Sequence, residues 1–428
     1  MTELSGSLAR LRQHRLPGLE FGDDFQYPAY NGHSILNLPS SICRLMGLPD
    51  FGAPPLENDI LGPLTTNGET QRVILILMDA LALHRLQRWM AEGHLPTWER
   101  LAGDGLLAAL TSITPSTTSA ALTSLWTGCP PAEHGILGYE MWLKEYGIIA
   151  NTILHSPATF NDGVGSLAMA GFDPHAFMAL PTLGSHLALQ GVKTHAFQHY
   201  SIVRSGLSKM FFNDVETHGF FSAADLWVSL RQMLEAQPGA RLYTWVYWSE
   251  VDTFSHRYGP DDERTLAEFV QFTQAMERNF LAKLSPAQRK GTLLILSADH
   301  GAIETPPDPY YDLRNHPALT RRLHMVPTGE HRLSYLYVRP GQMEAVREYI
   351  ERTWPNQFVA VDPLYAASAG LFGPGEQHAR LSERIGDLML IARQKAYWWW
   401  GQKENKMHGR HGGLHPEEML VPFLAAPL

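Results

Sequence analysis

Cysteine is scarce: Cys43 and Cys129 are the only two in 428 residues, and they lack the spacing of a metal site. That argues against a disulfide framework or a thiolate-held ion and is compatible with a reducing compartment. No run of Lys and Arg offsets the acidic residues. With a net charge of -9, the chain is not expected to coat nucleic acid. No apolar run reaches the ~18 residues of a membrane span. Residues 1–17 carry arginines but not the apolar stretch of roughly 7–15 residues that a signal peptide needs. A soluble, cytoplasmic protein is therefore expected. Internal repeats and low-complexity segments are also missing.

What is present is material for a large core. Hydrophobic residues make up 44% of the chain, with 11 Trp, 15 Tyr and 18 Phe, enough for one large domain or a main domain with a smaller companion. Residues 1–68 are rich in Pro, Gly and Asn and have little periodicity, so an arm packing on the main body is expected. From residue 71 strand-like and helix-like stretches alternate. Strands are expected at 73–78, 106–113, 194–197, 242–248 and 292–297. Helices are expected at 83–102 with a break at Pro96, and at 119–126, 183–190, 223–235 and 261–284. This alternation predicts an α/β fold with a mostly parallel central sheet and helices on both faces. After His300 the pattern loosens. Segments 333–338, 343–353 and 358–361 suggest a small α+β cap over 306–384, leaving 69–305 and 385–428 as the core. A strand at 387–392, with 396–400 as its hairpin partner, precedes the return of the chain at His411.

Ligands of such folds bind beyond the carboxyl ends of strands. Asp79 ends the 73–78 run, Asp252-Thr-Phe-Ser-His256 follows 242–248, and Asp299-His300-Gly301 follows 292–297. His411 lies in Gly409-Arg-His-Gly-Gly413. Asp252 and His256 are four apart, so one helical turn places both on one face. An aspartate at a strand end is common, and each motif is weak by itself; the joint arrangement points to metal. Oxygen and imidazole donors in this mixture suit zinc or manganese. Three aspartates and three histidines exceed one tetrahedral ion and suffice for two if a further group completes a shell. The hydroxyl-rich turn Pro115-Ser-Thr-Thr-Ser119 leads into a helix whose N-terminus offers free N–H groups to a phosphate. The same hydroxyls would also serve as an N-cap.

In this order, Asp79, the Thr118 turn, Thr127-Gly-Cys-Pro-Pro-Ala-Glu-His-Gly135, Asp252/His256-Arg-Tyr-Gly-Pro260, Asp299-His300-Gly301 and His411 resemble the motifs of the alkaline phosphatase superfamily. The segment Arg384-Ile-Gly-Asp-Leu-Met389 belongs to the same likeness, which runs from about residue 70 to the C-terminus. The branch resembled is that of type I phosphodiesterases and nucleotide pyrophosphatases. The resemblance implies two divalent ions, zinc or in some branches manganese. Asp252, His256 and His411 would hold one; Asp79, Asp299, His300 and the Thr118 hydroxyl would hold the other. Thr118 would be the catalytic nucleophile, giving a covalent phospho-enzyme, and the substrate a small phosphodiester or nucleotide.

Some positions leave alternatives open. Thr117 rivals Thr118 by one residue of register, and His408 and His415 rival His411. The family pattern has an asparagine downstream of the nucleophile that contacts a phosphate oxygen. Here the third residue on is Ala121, so that task falls to backbone N–H groups, to a residue from elsewhere such as Asn151, or to none. His134 reads as a loop-fixing residue, 398–400 as buried aromatics, and Lys144, Arg257 and Arg410 as surface charges. A phosphomonoesterase or phosphonate hydrolase of the same superfamily remains a rival reading. So, from another class, does a metal-binding pseudoenzyme. A sulfatase is disfavoured because Cys129-Pro-Pro-Ala-Glu133 lacks the arginine of that branch's nucleophile motif.

Overall fold

A computed structural model describes residues 2–65, 70–158, 163–203 and 205–428. The expected arm at 1–68 therefore lies partly outside the described residues. Its described part begins with the helix Thr2–Gln13, and it joins the main body through hydrogen bonds. Ala109 N donates to Ser7 Oγ, Ala29 N to Thr111 Oγ1, and the Tyr30 hydroxyl to the Leu371 carbonyl.

The central sheet has seven strands in the order Leu106–Thr111, Leu420–Pro427, Thr292–Ser297, Arg72–Met78, Leu242–Trp248, Lys193–His199 and Val215–Phe220. Leu420–Pro427 runs antiparallel to both neighbours, and every other described pairing in the sheet is parallel. The three middle strands are buried along their whole length. Their largely apolar sequence is what a parallel strand covered on both faces requires. Helices such as Leu83–Ala91, Ala223–Ala236 and Glu263–Asn279 supply the cover. The helical tract expected at 83–102 is two helices, Leu83–Ala91 and Pro96–Asp104, because Pro96 can only begin a helix there.

A second seven-stranded sheet, in the order Phe358–Val361, Leu388–Ala392, Leu333–Leu336, Thr328–Gly329, Glu140–Leu143, Ile148–Asn151 and Ser156–Pro157, is antiparallel in every described pairing. It takes strands from within 306–384 and also from 140–157 and 388–392. Residues 396–400 form no strand, contrary to the expected hairpin. Trp398 N donates to the His331 carbonyl and Trp399 N to the Tyr311 carbonyl, so the backbone groups that would pair with 388–392 are used elsewhere.

Parallel register decides where the functional residues go. Met78 is level with Trp248, and Leu77 with both Tyr247 and Ser297. The residues just beyond these strands therefore emerge side by side at one edge of the sheet.

Candidate active site

At that edge Asp79 leaves the central strand directly, while Asp299 and His300 follow the strand on one side. On the other side the chain turns at Ser249 into the helix Glu250–Tyr258, which carries Asp252 and His256 one turn apart. Arg410 and Gly409 pair with Ile303 and Glu304, which brings His411 back to the site. A bridge between Ser116 and Gly412 ties this return to the hydroxyl-rich turn. Thr118 is the first residue of the helix Thr118–Thr127, with Thr117 as its N-cap in an extended conformation.

The three imidazoles share one orientation. His256 Nδ1 lies 2.8 Å from the Gly409 carbonyl, His300 Nδ1 2.9 Å from that of Gly301, and His411 Nδ1 3.1 Å from that of Ser116. A carbonyl only accepts, so each Nδ1 carries a hydrogen and each ring turns its Nε2 toward the site. Backbone acceptors of this kind fix the tautomer and the ring orientation of metal-binding histidines. Burial pushes the His411 pKa well below its ordinary value, which keeps that ring neutral. The Thr118 hydroxyl lies 3.0 Å from His300 Nε2.

The carboxylates share a second pattern. Asp79 Oδ2 accepts the Tyr247 hydroxyl, and Asp299 Oδ1 accepts the Ala80 and His300 N–H groups. Asp252 Oδ2 lies 3.3 Å from His256 Nε2. The other oxygen of each, Asp79 Oδ1, Asp252 Oδ1 and Asp299 Oδ2, is buried without a hydrogen-bond partner. Burial, reinforced by Asp299 and Asp252, raises the Asp79 pKa well above the usual carboxylate range, and burial also raises that of Asp299. Three converging anionic oxygens without donors fit divalent cations, which would supply the missing partner and the neutralising charge.

Distances agree with that fit. His256 Nε2 to Asp252, His411 Nε2 to Asp252, and His300 Nε2 to Asp79 and Asp299 measure 3.3, 3.7, 3.4 and 3.5 Å. Metal–ligand bonds of about 2.0–2.2 Å put the edge of a tetrahedron at about 3.3–3.6 Å. At this edge of the sheet two groups are close enough to hold an ion: Asp252, His256 and His411, and Asp79, Asp252 and His300. Asp252 is common to both, a sharing that spacing alone did not foresee. His408 and His415 join neither group. His415 caps the helix Pro416–Met419 instead, its Nδ1 accepting from Glu417 N.

Comparison with protein families matches residues 73–414 to the type I phosphodiesterase/nucleotide pyrophosphatase family. The chain belongs to this family. It is a phosphoric ester hydrolase, and its superfamily is metal-dependent. No curated protein matches it. Among solved structures it is similar to murine ectonucleotide pyrophosphatase/phosphodiesterase 5, with a TM-score of 0.61 and 15% identity over 82% of this chain and 87% of that one. An inactive threonine-to-alanine variant of that mouse protein, in complex with AMP, gives a TM-score of 0.60 at 14% identity, over the same shares of the two chains. Phosphonoacetate hydrolase from Sinorhizobium meliloti 1021, in complex with phosphonoformate, gives 0.58 at 17% identity, over 83% of this chain and 90% of that one. At these identities the likeness concerns the fold.

Within this family frame the open positions differ in their surroundings. Thr118 Oγ1 faces His300, whereas the Thr117 side chain lies against the Glu330 carboxylate. Ala121 is fully buried in its helix. Asn151 Oδ1 accepts from Ile153 N and Leu154 N, and its side chain hydrogen-bonds to that of Tyr139. Tyr139 itself lines a cavity of about 430 Å³ together with Thr118, Asp252, His411, Glu330 and Trp400. Tyr139, Glu330 and the Asp79-binding Tyr247 were all missed in the sequence. Tyr247 is hidden inside an apolar strand, and only its place next to the strand's last residue hinted at a polar task. His134 does fix a loop, accepting from Ile136 N at Nδ1. Lys144 is exposed, but Arg410 is fully buried, contrary to the surface reading: its guanidinium is bound by Thr305 and Asn405 and packs over Tyr397.

Proposed function

We propose that the protein is a two-metal phosphodiesterase in which Thr118 attacks phosphorus and forms a transient covalent phospho-enzyme that keeps the substrate's remaining ester group. The three buried carboxylate oxygens without partners, facing inward-pointing imidazoles around one hydroxyl, carry this reading. Asp252, His256 and His411 would hold one ion; Asp79, Asp299, His300 and Thr118 the other, with zinc the expected metal and manganese the rival. Bound there, the ions supply positive charge that lowers the Thr118 hydroxyl pKa and offsets charge on the phosphate oxygens. The chain's own part is positional. The helix starting at Thr118 turns free N–H groups and its positive dipole end toward a phosphate. Thr118 Oγ1 forms the new P–O bond as the leaving alkoxide or phosphate departs, and water then displaces the threonine oxygen from phosphorus. The inactive threonine variant of the mouse protein and its AMP complex favour this threonine role and a nucleotide-type substrate.

Two cavities flank Thr118. The larger is walled by Trp399 and Trp400, and a smaller one of about 100 Å³ is lined by Leu122, Trp126, Ile153 and Phe211. Among the described residues lining them, Arg410 is the only Lys or Arg, and its guanidinium is already bound. A monoester dianion therefore lacks the extra cation that efficient monoesterases place beside the nucleophile, whereas a diester has apolar walls for its second substituent. On metal-loaded protein, kcat/KM for bis-nitrophenyl phosphate is expected to exceed that for nitrophenyl phosphate. The reverse order moves the protein to the monoesterase reading, and no turnover of any ester to the pseudoenzyme one.

Tyr247 donates to Asp79 and so orients that carboxylate from behind. Tyr247→Phe is expected to weaken metal retention about 10–100-fold, as removal of outer-shell partners does. A chelator competition titration measures it, and unchanged retention removes Tyr247 from the site's support.

A further inference from the structure

The central sheet ends in an edge strand, Val215–Phe220, whose only neighbour in the sheet among the described residues is Lys193–His199. Register places Glu216 directly across from His195 and puts His218 two residues further along the same face. His195 Nδ1 and His218 Nε2 are 3.0 Å apart. The Glu216 carboxylate reaches each ring at 3.6 Å, from His195 Nδ1 to one oxygen and from His218 Nε2 to the other. These separations bracket the edge of about 3.3–3.4 Å for a tetrahedral ion bonded at about 2.0–2.1 Å. The His195 side chain is 1% exposed and that of Glu216 67%, so one ligand is anchored in the core and the open side faces solvent. His218 is stacked on Phe197 with ring centroids 4.4 Å apart, which fixes its plane. Burial lowers the pKa of both histidines, so both rings are neutral at neutral pH.

We infer that His195, His218 and Glu216 form a further zinc site, separate from the hydrolytic centre, that staples the edge strand to the sheet. Two neutral imidazoles and a carboxylate are a borderline N/O donor set, and three protein ligands leave a position for water. Without the ion, Gln237 Nε2 donates to His195 Nε2 at 3.2 Å, so Nδ1 carries the proton and donates to His218. With it, His195 moves its proton to Nε2, and a turn of the Gln237 amide offers Oε1 as acceptor. No net proton is released from the neutral pair. Lys193 is the cation acting on His195; its Nζ donates to Gln237 Oε1 without the ion and, being exposed, turns to water when the amide turns.

The test is zinc titration against a chromophoric chelator on the full-length protein. Wild type should hold one equivalent more than His218→Ala, with hydrolysis of a nitrophenyl diester unchanged. Because the readout is a difference, it stands whether or not the hydrolytic centre binds two ions. Glu216→Gln, at an exposed position, serves if His218→Ala does not fold. It should weaken the same equivalent by more than about 100-fold, the upper end of an outer-shell change. Equal zinc content and affinity in wild type and variants would show that the cluster is only a hydrogen-bonded histidine pair.

Discussion

Thr118→Ala is expected to lower kcat by at least about 10³-fold, the scale of loss when a covalent nucleophile is removed. Its hydroxyl sits 3.0 Å from His300 Nε2, at the first position of a helix that is buried throughout, so alanine fits without disturbing the packing. The hydroxyl would complete a metal shell but is not its main ligand, and metal content should stay at the wild-type level. Rapid-quench kinetics with intact mass spectrometry check both parts: wild type should pass through a covalent adduct whose mass is that of the substrate's phosphoryl group with its remaining ester substituent, and the variant should not. Thr117 is the internal control. Its side chain lies against Glu330, so Thr117→Ala should still form the covalent adduct. If Thr117→Ala is the dead variant instead, the nucleophile has been assigned one residue out of register.

Asp252→Asn is expected to be as damaging, for a different reason. Asp252 belongs to both groups of the hydrolytic centre able to hold an ion, and its Oδ1 is a buried oxygen without a partner. The amide keeps size and shape but removes a negative charge from both positions and offers an N–H₂ donor toward a cation. Loss of at least one metal equivalent and a fall of at least about 10³-fold in kcat/KM should follow, on the scale of several kcal/mol of charge stabilisation by bound metal. Elemental analysis alongside kinetics separates this from Thr118→Ala, which loses turnover and keeps metal. Full metal content with full activity in Asp252→Asn would remove Asp252 from the centre.

The site was legible where sequence order and sheet geometry coincide. Asp79, Asp252 and Asp299 each follow a largely apolar run, and such runs become adjacent parallel strands whose ends lie side by side. The second sheet was harder to read. Glu140–Leu143 and Ile148–Asn151 are four residues each with mixed burial, too short for periodicity to separate them from loop. The tryptophans at 398–400 suggested a strand because they are apolar, yet Trp398 is buried by packing against Trp354 and Phe358, which needs no ladder. Tyr247 and Tyr139 escaped notice because a tyrosine in an apolar context reads as core until a partner for its hydroxyl is seen. The pairing of His195 with Glu216 across two strands depends on register, which one sequence does not specify.

The central claim is that Asp79, Asp252, His256, Asp299, His300 and His411 gather two ions around Thr118. The most direct measurement is an anomalous-difference map from crystals of zinc-loaded protein, recorded across the zinc edge. Two peaks about 3.5–4 Å apart, between Asp252 and Asp79, are predicted. No anomalous peak within bonding distance of these residues, or a single ion that leaves either Asp79 or Asp252 unbound, would contradict the account.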